Sequence, residues 1–323
     1  MPVRPSSRLP PTRVPPSGAR VDLILRTVFL GTSEFAAAVL ERLVASDHRP
    51  ALVLSRPDRP RGRGRRMATP PVAERARALE IALEQPESVN DPPVQALIAE
   101  ARPEAVVVCA FGALIKEPLL SAHELLNVHP SLLPRWRGAA PIERAIMAGD
   151  ERTGVSIMRL TAGLDSGPVC LTAPVPIALE DTYGSLATRL RELGGDLLVR
   201  TLDLLAGEQA PVFAEQGEAG ITYAEKISPE DRLLDPRRAA SELERTVRAL
   251  HPHIGALLAL ADGTLLGVRR ARDATERTPV GALTVLAGRL LYGARDRALE
   301  LLEVQPPGGR PMDAAAYLRG HAR

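Results

Sequence analysis

Apolar and polar positions alternate along the chain in two periods. RTVFLG (26–31) is a short apolar run ending in Gly31. TSEFAAAVLERLVAS follows with helical spacing and has Thr32 or Ser33 as N-cap. PALVLS (50–55), EAVVVCAFG (104–112), ELLNVH (124–129) and TGVSIMRL (153–160) read as further strands. The continuous apolar character of 104–112 suits a strand buried on both faces. Helical patterns separate these runs at 70–79, 92–101 and 139–148. Strands alternating with helices predict an α/β fold with a Rossmann-like, mainly parallel sheet.

The pattern changes in the last third. A long helix is predicted over 182–207, followed by the polar, Gly- and Pro-bearing stretch EQAPVFAEQGEAG (208–220), which reads as a linker. Beyond one amphipathic helix, AASELERTVRAL, short strands dominate, with ADG and AGR where hairpin turns would fall. A small, separate β-rich domain is expected there. The predicted layout is a tail over 1–25, a first domain over 26–207, a linker over 208–226 and a second domain over 227–323. Residues 1–20 combine many Pro and Arg with no acid, and Pro disfavours helix. They read as a disordered tail or as the product of an early start codon; a transit peptide fits less well.

The 323 residues are 45% hydrophobic, enough for two cores. The net charge of +2 hides an uneven distribution. Residues 1–66 hold 13 Arg against five acids, and residues 227–323 hold 15 Arg against 12, leaving −9 for the middle. Basic ends offer two places for a polyanion, although a solvated surface would look the same. Cys109 and Cys170 have no metal or redox spacing and read as core residues. No run reaches the ~18 apolar residues of a membrane span. GTSEFA lacks the GxGxxG pattern of dinucleotide sites. The histidines outside the N-x-H pair have no ligand spacing with Asp or Cys, so no metal is expected.

Three stretches carry candidate chemistry. Asn127 and His129 lie two apart, so a strand presents both on one face at its carboxyl end, where open α/β sheets bind ligands. Taken alone, such a pair reads more readily as caps for buried backbone groups. In LTAGLDSGPV (160–169), Gly163 and Gly167 flank Asp165 and suggest a sharp turn that presents its carboxylate; Asp-Ser-Gly also occurs in ordinary turns. RPDRPRGRGRR (56–66) sets six Arg against one Asp on a Gly/Pro scaffold, which suits phosphates.

Together, FLGTSEFAA, RPDRPRGRG, VVVCAFGALI, NVHPSLLPRWRGAAPI, LDSGPV, ITYAEKIS and LELLEVQPPGGRPM resemble the methionyl-tRNA formyltransferases, a folate-dependent formyltransferase family. The likeness runs from about Arg26 to near the end. It implies a catalytic group of Asn127, His129 and Asp165. It also implies a tetrahydrofolate-binding segment at Ser131, Leu132, Leu133 and Pro134, with Phe111, Gly112 and Ile115 walling the pterin pocket. The tRNA-binding loop would fall on Arg61, Arg63, Arg65 and Arg66, with Arg63 matching its key arginine. The second domain would be a small OB-like β-barrel that holds the acceptor arm. The implied reaction moves formyl from 10-formyltetrahydrofolate to the α-amine of initiator methionyl-tRNA, without a metal, in a monomer of the bacterial cytoplasm. HPHIGA (251–256) departs from the Trp-Pro often found there in the family. A formyltransferase for an amino-sugar nucleotide would share the three polar residues but needs no loop this basic. A non-catalytic RNA-binding protein would leave those residues without a role.

Overall fold

The computed structural model describes residues 24–61, 66–207 and 211–321. The N-terminal domain runs β1 (Thr27–Gly31), α1 (Glu34–Val44), β2 (Pro50–Leu54), the short strands β3 (Arg59–Arg61) and β4 (Arg66–Ala68), α2 (Pro71–Ala78), β5 (Leu83–Glu84), α3 (Pro92–Glu100) and β6 (Ala105–Cys109). It continues with α4 (Leu119–Ala122), β7 (Leu125–His129), β8 (Arg137–Gly138), α5 (Pro141–Ala148), β9 (Arg152–Arg159), β10 (Val169–Pro176) and α6 (Tyr183–Ala206).

Seven of these strands form one sheet, in the order β10-β9-β7-β6-β1-β2-β5. The five from β7 to β5 are parallel; at the edge β9 runs antiparallel to β7, and β10 antiparallel to β9. The sequence does not reveal this reversal, because a buried strand has the same apolar pattern in either direction. β1 and β6 are buried at every position, as their unbroken apolar runs predict. One face packs Phe29, Val107, Leu126 and Val128 against α1 and α6; the other packs Val28, Leu30 and Val106 against α3. The chain goes outward from β1 to β2 and β5, then returns to β6 on the other side. Ligands bind at such a reversal, beyond the carboxyl ends of the strands.

The tail expected over 1–25 lies, up to residue 23, outside the described residues, and the contacts of the first domain already include Leu25. The Leu25 amide donates to His48 Nδ1 at 3.1 Å, and the Leu25 side chain packs on the first core. The expected linker, in its described part, is docked rather than free. Ala214 pairs with Val169, and β11 (Tyr223–Ala224) pairs in parallel with β8.

The C-terminal domain contains α7 (Ala240–Leu250), β12 (Ala256–Ala259), β13 (Leu265–Asp273), β14 (Leu283–Leu286), β15 (Arg289–Gly293), β16 (Ala298–Gln305), β17 (Met312–Asp313) and α8 (Ala314–His321). Its strands are antiparallel, in the order β12-β13-β16-β15-β14 with β17 beside β16. Leu243, Val247 and Leu250 of α7 close its core against Leu258, Val268 and Leu301. The other side of α7 meets the N-terminal domain, where Arg245 donates to the Met147 carbonyl at 3.2 Å.

Candidate active site

β7 delivers Asn127 and His129 to the wall of a cavity of about 520 Å³ at the carboxyl end of the sheet. Ser33 after β1 and Phe111, Gly112 and Ile115 after β6 line it as well. Pairing explains the convergence. Leu30 faces Val108 across β1 and β6, and Val108 faces Asn127 across β6 and β7, so three strands end at one level.

His129 is 4% exposed and its Nε2 lies 2.8 Å from the Trp136 carbonyl. A carbonyl only accepts, so Nε2 carries the proton and the lone pair of neutral His129 sits on Nδ1. That Nδ1 faces Asp165 Oδ2 at 3.7 Å. Asp165 Oδ1 takes a 3.3 Å hydrogen bond from Asn127 Nδ2, and Oδ2 takes one of 2.8 Å from the Gly138 amide. The three polar side chains read from the sequence therefore meet at one point.

Backbone strain marks the same place. Asp165 has φ 43° and Trp136 has φ 63°. Left-handed conformations cost a non-glycine residue about 1–2 kcal/mol and persist only where the surroundings hold them. For Trp136 the holders are clear. Its amide donates to Thr222 Oγ1 at 2.9 Å and its indole Nε1 to Asp150 Oδ2 at 2.8 Å. Arg135 lies over the indole ring at 4.4 Å and grips Asp150 with two bonds of 2.7 and 2.6 Å. Hydrogen bonding to Asp150 pushes the Arg135 pKa up, so the clamp stays charged. For the Asp165 turn, Gly167 is needed for close approach, since a Cβ there would lie 2.1 Å from the Arg159 carbonyl.

Other expected residues fall differently. Ser131, Leu132, Leu133 and Pro134 do not line the cavity. Ser131 is fully buried and donates to the Arg135 carbonyl at 2.6 Å. Ser156 Oγ bonds the Ser131 carbonyl at 2.8 Å and accepts the Leu133 amide at 3.2 Å. Their polar groups are spent closing the loop behind His129, which places them in support of the cavity rather than at its surface. Arg61 and Arg66 pair across β3 and β4, and Arg66 is exposed; Arg63 and Arg65 lie outside the described residues. Leu54 pairs in parallel with Leu30, so the basic segment leaves the sheet at the edge where the cavity opens. Hydrogen bonds from Gln85 and Thr69 hold Asp58 below the usual carboxylate range at the base of this segment.

Several cavity residues escaped the sequence reading. Glu143 of α5 and Tyr183 of α6 line it, and His253 of the C-terminal domain reaches both. His253 Nε2 is 2.9 Å from Glu143 Oε1, and its ring stacks on Tyr183 with centroids 3.7 Å apart. Burial, with Glu143 nearby, pushes the Tyr183 phenol up to about 12, so it stays protonated near neutrality. His253 falls in HPHIGA (251–256). Gln216, from the expected linker, contacts the Asp165 turn from behind. A lone amide in a Gly/Pro-bearing stretch gives no periodic signal.

The family model described as formyl transferase matches residues 25–202, and that of its C-terminal domain matches residues 226–322. The chain is 42% identical over 301 residues to the methionyl-tRNA formyltransferase of Halorhodospira halophila, covering 91% of this chain and 96% of that one. Among solved structures, HypX from Aquifex aeolicus in complex with tetrahydrofolic acid superposes with a TM-score of 0.60 at 18% identity, over 91% of this chain and 47% of that one. An N-formyltransferase from Helicobacter canadensis, in complex with folinic acid and dTDP-3-aminofucose, superposes with a TM-score of 0.63 at 13% identity, over 86% of this chain and 99% of that one. At these identities the two structures establish the shared fold.

Proposed function

The chain belongs to the formyl transferase family, and on that premise we infer that it transfers the formyl group of 10-formyltetrahydrofolate to the α-amine of methionyl initiator tRNA. The observation that carries the chemistry is the meeting of Asn127, His129 and Asp165 at one cavity wall.

The attacking amine must be neutral. A free α-amino group titrates near ~7.7–8.0, and an adjacent ester lowers that value, so the nucleophile needs little activation. Attack on the formyl carbon gives a tetrahedral oxyanion. The nitrogen that attacked must then lose a proton, and N10 of the folate must gain one before the C–N10 bond breaks. In our reading Asn127 donates to the oxyanion through the amide hydrogen not turned to Asp165; one such donor is typically worth ~10²–10³ in rate. His129 Nδ1 takes the proton, because Nε2 is already protonated and engaged by Trp136. Asp165 stabilises the resulting imidazolium across the 3.7 Å gap, and the same Nδ1–H can return the proton to N10. A positioned acid–base group contributes typically ~10²–10⁴.

Phe111, Gly112 and Ile115 would face the pterin, and the loop from Ser131 to Pro134 would set the cavity's shape from behind. The arginines of 56–66 would take the phosphates of the acceptor stem, since the segment follows β2, whose carboxyl end lies level with that of β1. The setting is bacterial translation initiation, in the cytoplasm. Transfer of labelled formyl from 10-formyltetrahydrofolate tests the reading, with methionyl-tRNA, uncharged tRNA and an amino-sugar nucleotide as acceptors. Label on methionyl-tRNA alone is expected. Label on the sugar would keep the three polar residues in their roles and overturn the reading of the basic segment.

A further inference from the structure

Two loops close the cavity beside Asn127 and His129: residues 130–140 after β7, with the Gly138 amide, and residues 160–168 between β9 and β10, with Asp165. Both are fastened from one side by the chain that connects the two domains. Thr222 Oγ1 accepts the Trp136 amide at 2.9 Å, and the Thr222 carbonyl accepts the Arg137 amide at 2.9 Å. The Ala224 carbonyl accepts the Ala139 amide at 2.8 Å, while Ala214 exchanges bonds of 2.8 and 2.9 Å with Val169.

Gln216 stands where these fastenings meet. Its Nε2 donates to the carbonyls of Asp165 and Gly167, both at 2.8 Å, and so brackets the turn that carries the carboxylate. Its Oε1 accepts from Arg137 Nε at 3.0 Å and from Nη2 at 2.8 Å. Arg137 is buried and immediately precedes Gly138, whose amide holds Asp165 Oδ2. One side-chain amide thereby joins both loops and uses all its hydrogen-bonding groups to do so. Gln216 does not line the cavity. Only an amide serves at this position: a carboxylate would still suit Arg137 but would face two carbonyls without a proton to give.

We propose that Gln216 is a positioning residue for formyl transfer: it holds the Asp165 turn in the orientation that points the carboxylate at Asn127 and His129. The interdomain connector then forms part of the active site, and its docking is coupled to turnover. The inference rests on the reading of Asp165 as catalytic.

The test is a double-mutant cycle on the full chain. Gln216→Leu and Gln216→Glu are each made alone and with Asp165→Asn. Single-turnover rate, KM for both substrates and Tm are measured for every variant. Displacing a catalytic group by about 1 Å can cost on the order of 10²-fold. Each Gln216 variant should therefore lose roughly 10- to 100-fold in rate, with both KM values within about twofold. In the Asp165→Asn background the Gln216 changes should cost less than about twofold, since no carboxylate remains to be aimed. An equal fractional loss in both backgrounds, or a drop in Tm with unchanged rate, would overturn the positioning role. Should Gln216→Leu fail to fold, the cycle stands on Gln216→Glu, which keeps the Arg137 contact. Near-normal turnover of Asp165→Asn alone would instead refute the catalytic reading on which the inference rests.

Discussion

In the N-terminal domain β1 and β6 are buried along their whole length, whereas in the C-terminal domain β13 varies between buried and exposed positions and carries Arg269, Arg270 and Arg272. The first arrangement puts Asn127 and His129 at a strand end, where the Asp165 turn joins them at one edge. The second keeps charge along the strands. Glu300 of β16 takes bonds of 2.7 Å from Arg272 and 2.5 Å from Arg289, and Arg289 also pairs with Glu276. Arg297 meets Asp273 at 2.6 Å. A doubly covered sheet has one place for chemistry, its carboxyl edge. An antiparallel sheet with half-exposed strands can carry a charged lattice along its length.

The contrast can be broken most severely at the edge. Asn127→Ala or Asp165→Asn should lower kcat by about 10²- to 10⁴-fold with the thermal transition little changed; turnover near normal would remove that residue from the catalytic group. Gly167→Ala should cost roughly 1–3 kcal/mol of stability as well as rate, because its Cβ would strike the Arg159 carbonyl; calorimetry beside a rate assay checks both. A smaller effect is expected from the basic segment. Arg63→Ala should raise KM for methionyl-tRNA several-fold and shallow its salt dependence, with folate binding unaffected. Equal loss for both substrates would make that segment structural.

The charged lattice should respond to acid. Arg289, with Arg272, holds the Glu300 carboxyl at about 2, below its ordinary value. A depressed carboxylate stabilises the fold above its unfolded pKa near ~4.3, and that stability drains as pH falls toward the folded value. Denaturant titrations should therefore show C-terminal domain stability declining between about pH 4.5 and 2, with a flatter decline for Glu300→Gln. Unchanged acid dependence would mean the lattice contributes nothing net. Removing residues 1–23, which keeps the Leu25 contact to His48, should alter neither rate nor Tm.

The sequence by itself determined the order and type of the main elements, because periods of two and 3.6 are local signals. It also determined that Asn127 and His129 share a face, since the strand period decides that within three residues. The resemblance placed Asp165 with them, but its approach across 38 positions is a tertiary fact. The reversal of β9, the Trp136 carbonyl that sets the His129 tautomer and the retreat of Ser131–Pro134 behind the cavity were likewise decided only by packing. So were the reach of Gln216 across 51 positions to Asp165 and that of His253 across 110 to Glu143. A hydrogen bond between distant residues leaves no periodic trace in the chain: its partners are chosen by where whole elements come to rest, and a polar side chain in a connector looks the same whether it faces water or holds a catalytic turn.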